Sequence, residues 1–362
     1  MDPRIRDHAR IVVDHCLDVQ PGQQVLVVAK PAAEEFVVAL YEELGKRDAI
    51  PMRTGASPRA SRAHLRELDA DAAALRDHRL AAFEAADKLV MAGGQENTRE
   101  LVDVPDAVSD AMGAVNQPLM EEQLDTPWVG TMHPLPGTAQ AAEMSTDAYE
   151  EFVYDAIDKD WNEQREFQQQ MVEILDPADE VRIVSGDTTD IRMSVDGMDA
   201  GNDHAKRNLP GGEAYTVPVP DSVEGEVLFD LPVVTRGEEL EDVWLRFEDG
   251  EVVEFEAESG EDTLESILER DGARRLGELG IGMNRDIDRL TNHMLFDEKM
   301  GDTVHLALGR CLDEVVPEGR EGNRSSVHVD LLVDMSEDSV IEVDGEVVQR
   351  DGRFRFEEEF AG

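Results

Sequence analysis

Two short stretches place a histidine close to carboxylates. In "VHVDLLVDM", residues 327–335, His328 and Asp330 are separated by one residue inside an apolar, strand-like run. Strand alternation puts both side chains on one face and leaves Val329 for the other. Imidazole nitrogen and carboxylate oxygen side by side suit a divalent ion such as zinc, cobalt or manganese. Alone, the pair is also what an Asp-rich surface strand carries by chance. In "FDEKMGDTVHLALG", residues 296–309, His305 follows Glu298 by seven positions. The apolar neighbours of His305 predict partial burial, where a histidine is either a hydrogen-bonded core residue or a ligand. A tight loop at Gly301 would let Glu298 reach the same place.

Two more carboxylates stand where a solvated charge is not expected. Glu213 follows Pro210-Gly211-Gly212 in "RNLPGGEAYTVP", and Glu278 lies among Gly, Leu and Ile in "RLGELGIGMN". A carboxylate in such a run needs a partner: an arginine, backbone amides or a metal. Glu213, Glu278, Glu298, His305, His328 and Asp330 together offer more donors than one four-coordinate zinc requires. The set suits two ions about 3.5 to 4 Å apart, which acidify water and polarise a carbonyl. That is hydrolase chemistry.

The ordered motifs "NLPGGEAYTVP", "GELGIGMN", "FDEKMGDTVHLALG" and "GNRSSVHVD" resemble those of the aminopeptidase T-like thermophilic metallopeptidases, including the aminopeptidase S branch. The resemblance extends upstream through "WVGTMHPLPGTAQAAEMSTDAYEEFVYDA" and covers most of residues 125–335. It implies that Glu213, Glu278, Glu298, His305, His328 and Asp330 surround two divalent ions (Zn, Co or Mn). It further implies removal of amino-terminal residues from peptides with a free N-terminus, Glu213 or Glu278 as acid/base, and a homodimer enclosing the sites. Several members of that family carry a tyrosine seven residues after the histidine, where this chain has Leu312. The departure keeps open a non-catalytic or altered-substrate protein that binds metal or peptide on the same scaffold.

Such a site needs rigid elements behind it. Ile5, Ala9, Val12, Val13 and Cys16 recur at helical spacing, and "VLVVA" at 25–29 reads as a buried strand. A helix over 32–44, a strand over 50–53, a helix over 59–68 and a strand in "DKLVMAGG" from Asp87 continue the alternation, which predicts a parallel sheet covered by helices. Gly93-Gly94 lacks the wider glycine spacing and the lysine of a phosphate loop and reads as a simple turn. One long helix is expected from Ser145, as N-cap, to Leu175, ended by "DPADE". The chain therefore divides into an α/β N-terminal domain, residues 1–176, and an α+β, largely antiparallel, β-rich peptidase domain, residues 177–362. Asp249-Gly250 marks a hairpin turn in the latter.

Composition narrows the partners. The 362 residues include 82 acidic and 34 basic side chains, a formal charge of -48. Nucleic-acid backbones require clustered cations that this balance opposes. The acidic residues interleave with periodic apolar ones, unlike a disordered acidic tail, and lysine is scarce beside arginine. This composition predicts a salt-rich cytosol, where screening over roughly 3 Å at molar ionic strength suppresses self-repulsion. Cys16 and Cys311 predict no disulfide framework. The N-terminus lacks an apolar signal core, and no apolar run approaches the eighteen or so residues that span a bilayer, so a cytoplasmic protein is expected.

Overall fold

In the computed structural model, residues 1–235, 237–358 and 360 are described. They form two compact units: Met1–Lys159 with Ala205–Gly211, and Asp160–His204 with the chain from Gly212 onward.

The first unit holds a sheet of β1 (Gln24–Ala29), β2 (Ile50–Thr54), β3 (Lys88–Gly93), β4 (Trp128–Met132) and a short strand, Asn208–Leu209. The order is β2-β1-β3-β4 followed by the short strand, and every pairing is parallel. Val25, Leu26, Val27, Leu89, Val90 and Val129 are fully buried, as expected of strands covered on both faces. The expected helices occur at Pro3–Ile11, Glu34–Lys46 and Pro58–Leu65, the first continuing as a π turn through Cys16.

The expected long helix is two helices, Thr146–Ile157 and Trp161–Leu175. Ser145 caps the first as anticipated, accepting a hydrogen bond from Ala148 N. Asp158 leaves the helical region, and the Asp160 carboxylate accepts from Asn162 N and Glu163 N to start the second helix. The units therefore divide at Lys159/Asp160, earlier than the expected 176/177. Met171, Val172 and Leu175 of the second helix join the core of the second unit. The signal was present as Asp160 followed three residues later by Glu163, a helix-start pattern.

The second unit contains an eight-stranded sheet and a five-stranded sheet, antiparallel throughout. The expected hairpin joins Val243–Glu248 to Glu251–Glu256. Asp249 and Gly250 both have positive φ, +50° and +78°, as a two-residue primed turn requires. The five-stranded sheet runs in the order His328–Asp334, Thr303–Gly309, Leu276–Gly282, Glu213–Thr216, Gly201–Asp203. Leu279, Ile281, Val304, Leu306, Leu308, Val329, Leu331 and Val333 belong to one hydrophobic core with residues of the eight-stranded sheet. No helix among the described residues is long and apolar enough to cross a membrane. Cys16 and Cys311 are both buried.

Candidate metal centre

Alternation sends Leu279 and Ile281 into the core and turns Glu278, Gly280 and Gly282 to the opposite face of the five-stranded sheet. One irregularity makes this possible. Leu276 pairs with Leu308, whereas Glu278 pairs with Ala307, so the register shifts at Gly277. Without that bulge, Leu276 and Glu278 would share a face. A side chain at Gly277 could not be accommodated, since its Cβ would meet the Arg310 carbonyl oxygen at 2.4 Å. Gly280 is equally constrained: its Cβ would overlap the His305 ring at 2.0 Å, so the imidazole lies directly over the glycine.

Neighbouring strands complete the arrangement. Gly280 is opposite both His305 and Tyr215, Asp203 is opposite Glu213, and Asp330 is opposite Ala307. Gln168, from the Trp161–Leu175 helix, fixes the edge of this sheet by donating to Asn202 Oδ1, the Asp203 carbonyl and the Glu213 carbonyl at 3.0, 2.9 and 2.8 Å. Gly212, at φ +130°, leaves no room for a side chain beside Asn284 and aims the chain into the Glu213 strand.

Five of the six residues expected from sequence come together in two groups that share Glu278: Glu213, Glu278 and His305, and Glu278, His328 and Asp330. In each group the donor atoms lie within 4.8 Å of one another. His305 Nε2 is 3.4 Å from Glu213 Oε2 and 3.4 Å from Glu278 Oε1. His328 Nε2 is 3.3 Å from Glu278 Oε2 and 3.2 Å from Asp330 Oδ1. The remaining ring nitrogens face backbone carbonyls: His305 Nδ1 that of Glu298 at 3.1 Å, and His328 Nδ1 that of Arg310 at 2.8 Å. A carbonyl only accepts, so Nδ1 carries the proton in both rings and Nε2 turns to the carboxylates. His305 is buried, while 32% of the His328 side chain is exposed, which opens the centre to solvent on that side.

Glu298 stands outside both groups. Its carboxylate pairs with Lys299, a residue that spacing did not single out. Lys299 is fully buried, with Nζ 3.1 Å from Glu213 Oε1 and 3.6 Å from Asp203 Oδ2. A lysine beside a glutamate in a charged loop reads as a solvated pair, which is why sequence did not reveal it. Asp297 serves the backbone instead. Buried itself, it accepts from Thr291 N, Thr291 Oγ1 and His293 N and holds the preceding loop. Leu312 packs with Met198, Val217, Cys311 and Val315 in an apolar cluster that Tyr215 also joins.

Ionisation follows these contacts. Burial opposes charge on His305, yet its Glu278 hydrogen bond and the charges of Glu213, Glu278 and Asp330 push it up to about 10. Burial likewise works against His328, but Asp330 and Glu278 drive it upward. Glu278 is held down against burial by its two histidines, whereas burial, only partly offset by Lys299, pushes Glu213 up. Protons thus sit where the donor atoms converge, and a metal ion would displace them. The residues fit such an ion: Glu213 Oε2 is buried without a hydrogen-bond donor and faces His305 Nε2.

Both the sequence and the fold are similar to those of known proteins. Residues 1–354 match the thermophilic metalloprotease (M29) family. The chain is 37% identical over 149 residues to aminopeptidase T of Thermus aquaticus, covering 38% of this chain and 36% of that protein. It is 36% identical over 170 residues to aminopeptidase 2 of Geobacillus stearothermophilus, covering 41% and 40%. The matched stretches thus span well under half of those relatives. The fold is similar to that of AmpT from Thermus thermophilus, with TM-score 0.87 at 24% identity over 98% of this chain and 99% of that one. A 2,5-dihydroxypyridine dioxygenase from Pseudomonas putida shares the architecture more distantly, with TM-score 0.61 at 14% identity over 98% and 97%. With a match running almost end to end, the chain belongs to the thermophilic metalloprotease family (M29).

Proposed function

We propose that the protein is a metal-dependent aminopeptidase that hydrolyses the first peptide bond of substrates with a free N-terminus. The observation that carries this reading is the pair of histidines whose Nδ1 atoms are anchored on backbone carbonyls and whose Nε2 atoms converge with carboxylates. Orientation by an outer hydrogen bond is characteristic of imidazoles that ligate metal. Relatives bearing the name aminopeptidase supply the substrate class.

Charge supports two ions. Once a metal has displaced the histidine protons, the carboxylates of Asp203, Glu213, Glu278, Glu298 and Asp330 are opposed by the ammonium of Lys299. Two divalent ions would neutralise the rest, with Glu278 between them because it belongs to both donor groups. Glu213 and His305 would complete one position, and His328 and Asp330 the other. Ions held there polarise the scissile carbonyl and acidify water. Glu298 lies outside both groups and suits the proton-holding role better than Glu213 or Glu278, the two candidates named from sequence, because ligation would occupy their oxygens. Lys299 holds Glu298 and Glu213 in place.

The reading includes a salt-rich cytoplasm, motivated by the formal charge of -48, and a homodimer, motivated by family resemblance. Circular dichroism against KCl and light scattering test these two points separately. The enzymatic proposal is tested by dialysing the protein against EDTA, confirming metal loss by mass spectrometry, and assaying leucine p-nitroanilide in high salt. Activity should vanish and return with Zn²⁺, Co²⁺ or Mn²⁺. Full turnover by a verified metal-free protein would sink the reading, and metal binding without turnover would favour the non-catalytic alternative to which Leu312 points.

A further inference from the structure

The first unit carries a second feature that the metal centre does not use. In its sheet, β2 and β3 lie on opposite sides of β1, so the chain changes direction at β1. In open parallel sheets, the crevice beyond the carboxyl ends of strands at such a switch is where ligands bind. Here a cavity of about 810 Å³ lies at that edge, lined by the ends of β1, β2 and β3.

Its lining is unlike the rest of the molecule. Lys30, Arg53, Arg76 and Arg79 face it, and no carboxylate does. In a chain with 82 acidic residues against 34 basic ones, cations ordinarily find partners. Arg62 pairs with Asp103, Arg182 with Asp190 and Glu342, and Arg246 with Glu248 and Glu254. Among the described residues, Arg53 reaches Glu34, but Lys30, Arg76 and Arg79 have no carboxylate within ion-pair distance. Lys30 donates only to the Gly94 carbonyl, at 3.3 Å. Arg79 is half-buried, and both its burial and the like charge of Arg76 disfavour its cationic form. Half-buried cations gathered without counterions are costly unless an anion completes them.

We propose that this cavity is a binding site for a small organic anion carrying phosphate or carboxylate groups. The guanidinium groups of Arg76 and Arg79 supply forked donors that match such oxyanions, and Lys30 adds a point charge. Val28 and Met91 line the apolar part of the cavity, which leaves room for a body larger than the bare anion. The anion is held by side-chain cations and not by a glycine-rich cradle, so the Gly93-Gly94 turn need not be a phosphate loop.

The test is isothermal titration calorimetry of the full-length protein with pyrophosphate, adenosine monophosphate and citrate, at constant ionic strength and in enough KCl to keep it folded. At least one probe should bind with one-to-one stoichiometry. The Arg76→Gln/Arg79→Gln double variant should weaken that probe at least tenfold while keeping its circular dichroism and its peptidase turnover. Lys30→Gln is an independent variant expected to act in the same direction. Preference for the phosphates assigns a phosphate ester, and preference for citrate a polycarboxylate. The proposal is overturned if no probe binds, or if folded variants bind as tightly as the wild type.

Discussion

His8, in the first unit, and His305, in the second, are each 1% exposed, yet their environments drive ionisation in opposite directions. Burial pushes His8 down to about 3, with help from His133. Its Nε2 meets the Thr131 hydroxyl at 2.7 Å, and Phe36 lies 4.4 Å from its ring. At His305 burial acts in the same sense, but the Glu278 hydrogen bond and nearby charges overcome it and push the imidazole up to about 10. Burial alone therefore does not decide the charge of a histidine; the carboxylates buried with it do. A neutral imidazole in an apolar setting serves packing. One surrounded by carboxylates holds a proton that a metal can replace.

The contrast can be broken most severely at Glu278, the carboxylate common to both donor groups. Glu278→Gln should strip metal from both proposed positions and lower turnover by more than the roughly 100-fold that loss of an outer-shell partner costs. Metal content by mass spectrometry alongside leucine p-nitroanilide hydrolysis measures it, and retention of two ions would refute the shared role. Next in size is Lys299→Met. It removes the Lys299 cation from the buried Glu213 and from Asp203 and Glu298 beside it, a loss of about 3 to 5 kcal/mol at neutral pH. Denaturant titrations of the metal-free proteins should show the deficit shrinking as pH falls, because burial already pushes Glu213 and Glu298 towards their protonated forms.

His8 sharpens the other side of the comparison. Its folded value, about 3, lies below the roughly 6.5 of an unfolded histidine. In that interval the unfolded chain binds the extra proton. Stability is thus fully present above about pH 6.5 and declines as pH falls towards 3, with a slope of up to about 1.4 kcal/mol per pH unit. His8→Gln should flatten this part of the profile, and identical slopes in variant and wild type would contradict the assignment. The smallest effect is expected from Thr131→Val, which removes the partner of His8 Nε2. About 1 kcal/mol should be lost near pH 7 by thermal unfolding.

Much of the fold was legible in the sequence where local rules and tertiary packing agree. The alternation of apolar runs with helical spacing anticipated β1, β2 and β3, and Asp249-Gly250 marked its hairpin. His328 and Asp330 sit two apart on one strand, as their spacing implied. The failures have physical causes. The helix break at Asp158 was hidden because the flanking residues keep helical propensity, and only the Asp160 cap interrupts them. Lys299 was hidden because burial of a lysine is decided by carboxylates distant in sequence, Asp203 and Glu213. Glu298, expected from sequence as a metal ligand, instead pairs with Lys299 and lies outside both donor groups.

By itself, the sequence determined which elements form and which residue types could hold a metal, since those depend on periodicity, turn chemistry and the donor atoms of side chains. Only the tertiary structure decided which donors meet. Glu278 reaches His305 and His328 because a bulge at Gly277 moves it off the face that Leu276 occupies, and because Gly280 leaves room for the ring. Likewise, the cluster of cations at the edge of the first sheet arises from segments distant along the chain. Local composition cannot encode it, because Lys30, Arg53 and the Arg76/Arg79 pair lie far apart in sequence and become neighbours only when the parallel strands align.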